Sequence, residues 1–316
     1  MSPNASSGSH VWWTSLKHGG LLIAPSHLVQ YFPADLPPLH GYLEERLRRD
    51  VMRAEDGRAE SMTKLLDTVL EHVLGFEDDP SGGPGRGRWL KGSSMPSELS
   101  VRTMTGTVAK PRRFWKGPYR SVLPVFVHPD SEVRLGIGRG RRATSEVVEW
   151  LRTTEHKIAL LTNGRQWRLV YAGLDYDAFV EWDTALWFEE GKAGLQVGAL
   201  MALLGRQALA PRVEGDEPPL LAAIAASRRG QAELSAALGE RVRQAVERLV
   251  REYAQALDDL DLGVNSSDIY HAAIRVVMRM VIVLFAEARD LLPRDNPIYH
   301  QSYGLHGLRE ALDQLA

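Results

Sequence analysis

At 316 residues the chain is long enough for more than one domain, and its 44% hydrophobic and 25% charged content is that of an ordinary globular protein. It has no cysteine, which excludes disulfides, thiolate zinc sites and cysteine nucleophiles, and its first residues lack the basic-then-apolar profile of a signal peptide, so a cytoplasmic protein is expected. The net charge of −2 hides an asymmetry: Arg86 to Arg142 hold 13 lysines and arginines against three acids, a balance of +10, which leaves −12 for the rest. An excess of that size within a neutral chain points to a polyanion-facing surface.

Residues 1–54 read as an N-terminal extension: a Ser/Gly/Asn-rich tail, extended segments around Leu21 to Pro25 and Pro33 to Pro38, and a short charged helix over 41–54. Ser61 is expected to cap a second helix carrying Leu65, Leu66, Val69, Leu70 and Val73 at helical spacing, with Gly75 ending it. Asp78 to Gly87 is a breaker-rich loop. Short strands are expected over Glu98 to Val108, Ser121 to His128 and Leu135 to Ile137, then a helix over Thr144 to Thr154.

Ile158 to Leu161 and Trp167 to Tyr171 form two strands joined at Asn163-Gly164, whose pairing predicts a type I′ hairpin turn. The aromatic segment Trp182 to Phe188 closes a mixed α/β domain over 55–190, and 191–216 is expected to be a linker. From Pro218 onward the chain reads as helical, with Leu234, Leu238, Val242, Val246, Leu249, Tyr253 and Leu257 spaced three and four apart. Asn265 to Asp268 should cap a buried apolar helix over Ile269 to Leu292, stopped by Pro293, and a short helix over Leu305 to Leu315 ends the 217–316 region. Val276 to Phe285 is too short and too charged to span a bilayer, so no membrane partner is expected.

Gly136-Ile-Gly-Arg-Gly140 could cradle a phosphate or a methyltransferase cofactor, but the following strand runs into Thr162-Asn163 instead of an acid. A metal-dependent nuclease needs an acid at one strand end and an acid-x-Lys on the next. Asp130 supplies the first, whereas the next strand offers Leu135-Gly-Ile-Gly-Arg139, leaving Asp130, Glu132 and Glu71 as the available carboxylates. The larger signal is basic and aromatic: Arg86, Arg88, Lys91, Lys110, Arg112, Arg113, Lys116, Arg120, Arg139, Arg141 and Arg142, interleaved with Trp89, Phe114, Trp115 and Tyr119. Cations neutralise phosphates and aromatics stack on bases, so these residues are candidate contacts to double-stranded DNA. The histidines form no ligand-spaced pair on one helix, and Asn296-Pro-Ile-Tyr299 departs from the Asn-Pro-Pro-aromatic motif of adenine methyltransferases at Ile298, reading as a helix stop and turn.

The helix Leu65 to Phe76, the hairpin Ala159 to Leu169 and the segment Leu284 to Pro293 resemble, in this order, the N-terminal part of Type IIG-like restriction–modification proteins. That group includes the adenine-specific DNA methyltransferases of DISARM- and BREX-type phage defence. The resemblance implies a PD-(D/E)XK nuclease-like domain, here degenerate, followed by a helical connector over 217–316. It also implies that the methyltransferase domain and its S-adenosylmethionine site lie outside these residues, as in a fragment of a longer product. Other defence-system subunits are implied partners. Two alternatives remain open: a live Mg²⁺ nuclease using Asp130 and Glu132, and a protein–protein scaffold of a defence complex.

Overall fold

The computed structural model describes residues 10–36, 38–76, 78–79, 87–188, 193–211, 213–259, 265–288, 291–293 and 296–315. The chain divides into two compact units, Met1–Arg228 and Arg229–Ala316. The first unit therefore takes in the expected N-terminal extension and the expected linker as well as the α/β region.

In the first unit the helices α1 (Val11–Thr14), α2 (Pro25–Tyr31) and α3 (Gly41–Ala54) precede α4 (Ala59–Asp67), with strand β1 (Lys17–Gly19) between α1 and α2. Helix α4 continues into a π-helical turn, Thr68–Val73. Its start corrects the expectation for Ser61. The helix begins at Ala59, and Asp56 serves the entry by accepting hydrogen bonds from the Arg58 backbone N–H (2.8 Å) and the Ser61 hydroxyl (2.9 Å). The Arg58 N–H, helped by Ser61, holds the Asp56 carboxyl below its ordinary range.

Strand β2 (Arg88–Lys91) comes next, then the short pair β3 (Val101–Arg102) and β4 (Val108–Ala109), β5 (Arg113–Lys116) and β6 (Val122–Val127). Helix α5 (Arg139–Thr153) connects β6 to β7 (Ile158–Thr162), and β8 (Gln166–Ala172) and β9 (Asp177–Asp183) follow. These strands build a mixed seven-stranded sheet in the order β1-β9-β8-β7-β6-β5-β2. Only β6 and β7 run parallel, and α5 is the crossover such a pair requires.

Period-two alternation sorts side chains to the two faces. Trp115, Leu123, Val125, Leu160 and Leu169 pack with Leu47, Leu65, Val69 and Phe76 from the helical side. Phe114, Phe126, Ala159, Leu161 and Val170 pack with Val147, Trp150 and Leu151 of α5. Strand β7 is buried at every residue, which its apolar sequence permits. Helices α6 (Leu195–Leu204) and α7 (Arg206–Leu209) occupy the expected linker, with Val197, Leu200, Leu203 and Leu204 fully inside the first core.

Residues 131–138 depart from expectation. Leu135 to Ile137 lie in turns, not a strand, and α5 begins at Arg139. The reason is lateral. Leu135 N–H donates to Gln166 Oε1 (2.8 Å), and its carbonyl accepts from Arg168 Nη2 (2.9 Å), so side chains of β8 take the bonds a strand neighbour would have used. The β7–β8 turn also differs. Gly164 has φ +89°, Asn163 N–H donates to Gln166 O (3.2 Å), and Gly164-Arg165 are the central residues, of which only Gly164 has positive φ where a type I′ turn needs both. Asn163 is thereby free to pin the 131–138 loop through Nδ2, which donates to Val133 O at 2.9 Å and Ser131 O at 3.3 Å.

The long helix α8 (Pro219–Asp259) supplies Leu220, Ala223 and Ile224 to the first core. In the second unit its later turns pack Val246, with Val242, Leu249 and Val250, on Ala273 and Val277 of α9 (Ser266–Ala288). Asn265 Oδ1 accepts from Asp268 N–H (3.0 Å), as the capping signal predicts. Burial of α9 does not follow: Met278, Met280, Ile282 and Phe285 are exposed, as are Leu234 and Leu238 on α8. Ser267–Ala288 is long and apolar enough, by length and composition, to cross a membrane, and most of it is not buried. The shorter span considered in the sequence was only its most apolar part. Asn296 opens a helix instead of stopping one: it caps α10 (Pro297–Ser302) by accepting from Ile298 N–H (2.9 Å), and α11 (Leu305–Leu315) follows.

Candidate nucleic-acid interface

The carboxyl ends of the parallel strands β6 and β7 face a groove made of two adjoining cavities of about 300 and 230 Å³ that share Ala54 and Ser131. Glu55, Glu132, Gly164 and Arg165 line the larger. Met62, Leu66, Arg112, Val127 and His128 line the smaller, which is mainly apolar. Asp130 uses its carboxylate on its own loop, accepting from Glu132 N–H at 3.0 Å.

Glu71 lies in a separate ionic network. The Arg113 guanidinium, 5% exposed, meets Asp67 at 2.6 Å and Glu71 at 3.8 Å, and Lys91 bonds Glu71 at 3.3 Å. Asp67 and Glu71 are one helical turn apart, which lets both converge on one cation. Among the described residues Arg113 Nη1 has no hydrogen-bond partner and stands in contact with Glu71 by charge alone. Among the described residues, Glu71, Asp130 and Glu132 do not form a group able to hold a metal ion.

The strand preceding α5 is β6, Val-Leu-Pro-Val-Phe-Val, not 135–139, and it carries no carboxylate or lysine. Two of the three glycines from Gly136 to Gly140 have packing reasons, while Gly138 has open space around it and a positive φ of 52°. A Cβ on Gly136 would lie 2.7 Å from the Arg168 guanidinium, and one on Gly140 would lie 2.1 Å from Arg134 O. Arg168 is itself buried with Glu181, donating Nε–H at 2.7 Å, and lies 3.9 Å from the Phe179 ring centre.

The contiguous basic segment is divided by the fold. Lys110 and Arg112 stand where β5 begins, beside the end of β6, and Arg141 opens α5 at that same end. Arg88, Lys116 and Arg120 gather at the opposite end, because β2 pairs β5 with Arg88 directly opposite Lys116. Cross-strand like charges repel, and a bound anion relieves the repulsion. Among the described residues no acid forms an ion pair with Arg88, Lys110, Arg112, Lys116, Arg120 or Arg141; Arg142 pairs with Glu146 at 3.0 Å, and Lys91 and Arg113 are neutralised as above. Arg86 and the side chain of Arg139 lie outside the described residues.

Sequence reasoning passed over Arg165, and counted Tyr119 only as one of several interleaved aromatics. Of those aromatics Trp89, Phe114 and Trp115 are buried, whereas Tyr119 is 47% exposed at the β5–β6 turn between Lys116 and Arg120. Arg165 lines the groove from the centre of the β7–β8 turn. In comparisons with known proteins, no family model, no curated protein and no solved structure matches the chain.

Proposed function

We propose that the first unit is a nuclease-like scaffold of the PD-(D/E)XK kind that has lost its cutting groups and contacts double-stranded DNA. It does so in the cytoplasm on behalf of an adenine-specific methyltransferase of a restriction–modification or phage-defence system. The strand order β2-β5-β6-β7-β8, a meander followed by a helical crossover into one parallel pair, supports the scaffold part of this reading. The residues do not fit a Mg²⁺ ion there: β6 lacks a carboxylate, and the Arg113 guanidinium already neutralises Asp67 and Glu71. S-adenosylmethionine belongs, on this reading, to the methyltransferase, with other defence subunits as further partners.

The observation that carries DNA contact is the facing pair Arg88 and Lys116 with Arg120 beside it and no acid among the described residues to neutralise them. The test is binding of a duplex across a salt titration. Each phosphate contact removed should flatten the log–log salt slope by roughly 0.9, so replacing Arg112, Lys116 and Arg120 together should weaken binding and flatten the slope by about 2–3. Binding indifferent to salt, or untouched by these replacements, overturns the reading. A scaffold role has its own support in the exposed apolar residues of α9, and self-association without DNA affinity would favour it.

A further inference from the structure

The β5–β6 turn is built against its own backbone preferences. Ser121 N–H donates to Pro118 O at 3.0 Å, and the two central residues, Tyr119 and Arg120, both have positive φ, 52° and 62°. That is a type I′ arrangement, for which Asn-Gly is the favoured pair and an aromatic followed by arginine is strained. Among the described residues Glu155 is the other non-glycine with positive φ, so the strain is concentrated here. Strain kept in an exposed turn invites a functional reason for the side chains it displays.

The turn is held firmly from below. The Trp115 ring, 1% exposed, fits under backbone at both Gly87 and Gly117, where a Cβ would come within 2.2 and 2.1 Å of it. Phe76 closes the ring's edge at 4.7 Å between centroids. Gly117 N–H donates to Ser121 O at 2.8 Å, and Ser121 Oγ donates to Pro118 O at 2.7 Å. A rigid base thus presents one half-exposed phenol ring flanked by Lys116 and Arg120, with Arg88 opposite Lys116.

We infer that this turn is a stacking tip: Tyr119 stacks on an unstacked base of bound DNA while Lys116, Arg120 and Arg88 hold the flanking phosphates. An aromatic face set among cations is the combination that binds nucleic-acid strands with little sequence preference. The inference rests on the DNA-contact reading above and adds to it a preference for DNA whose stack is already broken.

The full chain is titrated with two duplexes of one sequence, fully paired or with a single bulged 2-aminopurine whose fluorescence reports stacking. The wild type should bind the bulged duplex about tenfold more tightly than the paired one and change its fluorescence. Tyr119→Gly relieves the turn, so its melting temperature should rise. It should lose the preference for the bulged duplex, and Tyr119→Phe should retain the preference. Equal affinity of the wild type for both duplexes, or a preference surviving in Tyr119→Gly, overturns the stacking tip and leaves DNA contact standing. No binding to either duplex overturns both.

Discussion

Replacing Arg168 with methionine removes the cation that joins β8, β9 and the 131–138 loop. Arg168 and Glu181 are 1% and 4% exposed, so the variant leaves a carboxylate inside the protein. It also removes the bonds to Thr144 Oγ1 (3.0 Å) and Leu135 O (2.9 Å). Taking one partner from a buried ion pair costs about 3–5 kcal/mol. Glu181 keeps Gln166 Nε2 at 2.8 Å and Lys17 Nζ at 3.2 Å, so the lower end applies, about 3 kcal/mol. For a unit of this size that is a fall of about 6–12 °C in melting temperature. Thermal and urea unfolding followed by tryptophan fluorescence measure it, since Trp167 and Trp182 are fully buried on the same strands. The double variant Arg168→Met, Glu181→Met should be less destabilised than the sum of the single changes, because no charge is then left alone. Melting of Arg168→Met within about 2 °C of wild type, or strictly additive energies, would refute the assignment of this pair as the loop's anchor.

Two further outcomes follow from packing and titration. His156 sits against Trp150 and Phe114, with ring centroids 5.3 and 5.5 Å away, and burial pushes its pKa below the ordinary 6.5. The unfolded chain then takes up the proton first, so stability is full above about pH 6.5 and declines as pH falls through that value towards the folded pKa. Urea midpoints of wild type and His156→Phe across pH 5–8 should diverge on the acid side, and parallel profiles would contradict it. Gly117→Ala places a methyl 2.1 Å from the Trp115 ring and 2.4 Å from Ser121 Oγ, and overpacking of this kind costs about 1–3 kcal/mol. Unchanged melting would mean that the Trp115 ring moves freely.

The legible parts of the fold were those set by local pattern. Helix α3 over 41–54, the β7–β8 hairpin and α11 follow from spacing and turn residues that lie next to one another in the chain. What escaped was set by distant partners. Strand β1 has three residues, and only its pairing with β9 makes it a strand. Leu135 to Ile137 look extended until Gln166 and Arg168 take their backbone bonds. Helix α9 is apolar on most sides, which predicts burial, yet Met278, Met280, Ile282 and Phe285 are exposed in the second unit.

The candidate interface divides along the same line. The sequence displays charges without their partners, so it counted Lys91, Arg113 and Arg142 alongside Arg88 and Lys116. Asp67 and Glu71, four residues apart on a helix, carried a signal of a convergent cation that was there to be read.

The Arg113 network has a consequence for how this part of the molecule responds to its surroundings. A carboxylate pair that waits for a divalent ion changes its charge with the free metal concentration, and a histidine counter-ion would change it with pH. A guanidinium does neither, since it stays protonated throughout the range in which proteins fold. Asp67 and Glu71 therefore carry a counter-ion fixed by the gene. On the proposed reading, control over DNA contact falls to the exposed cations Arg88, Lys116 and Arg120, which carry no such fixed counter-ion among the described residues.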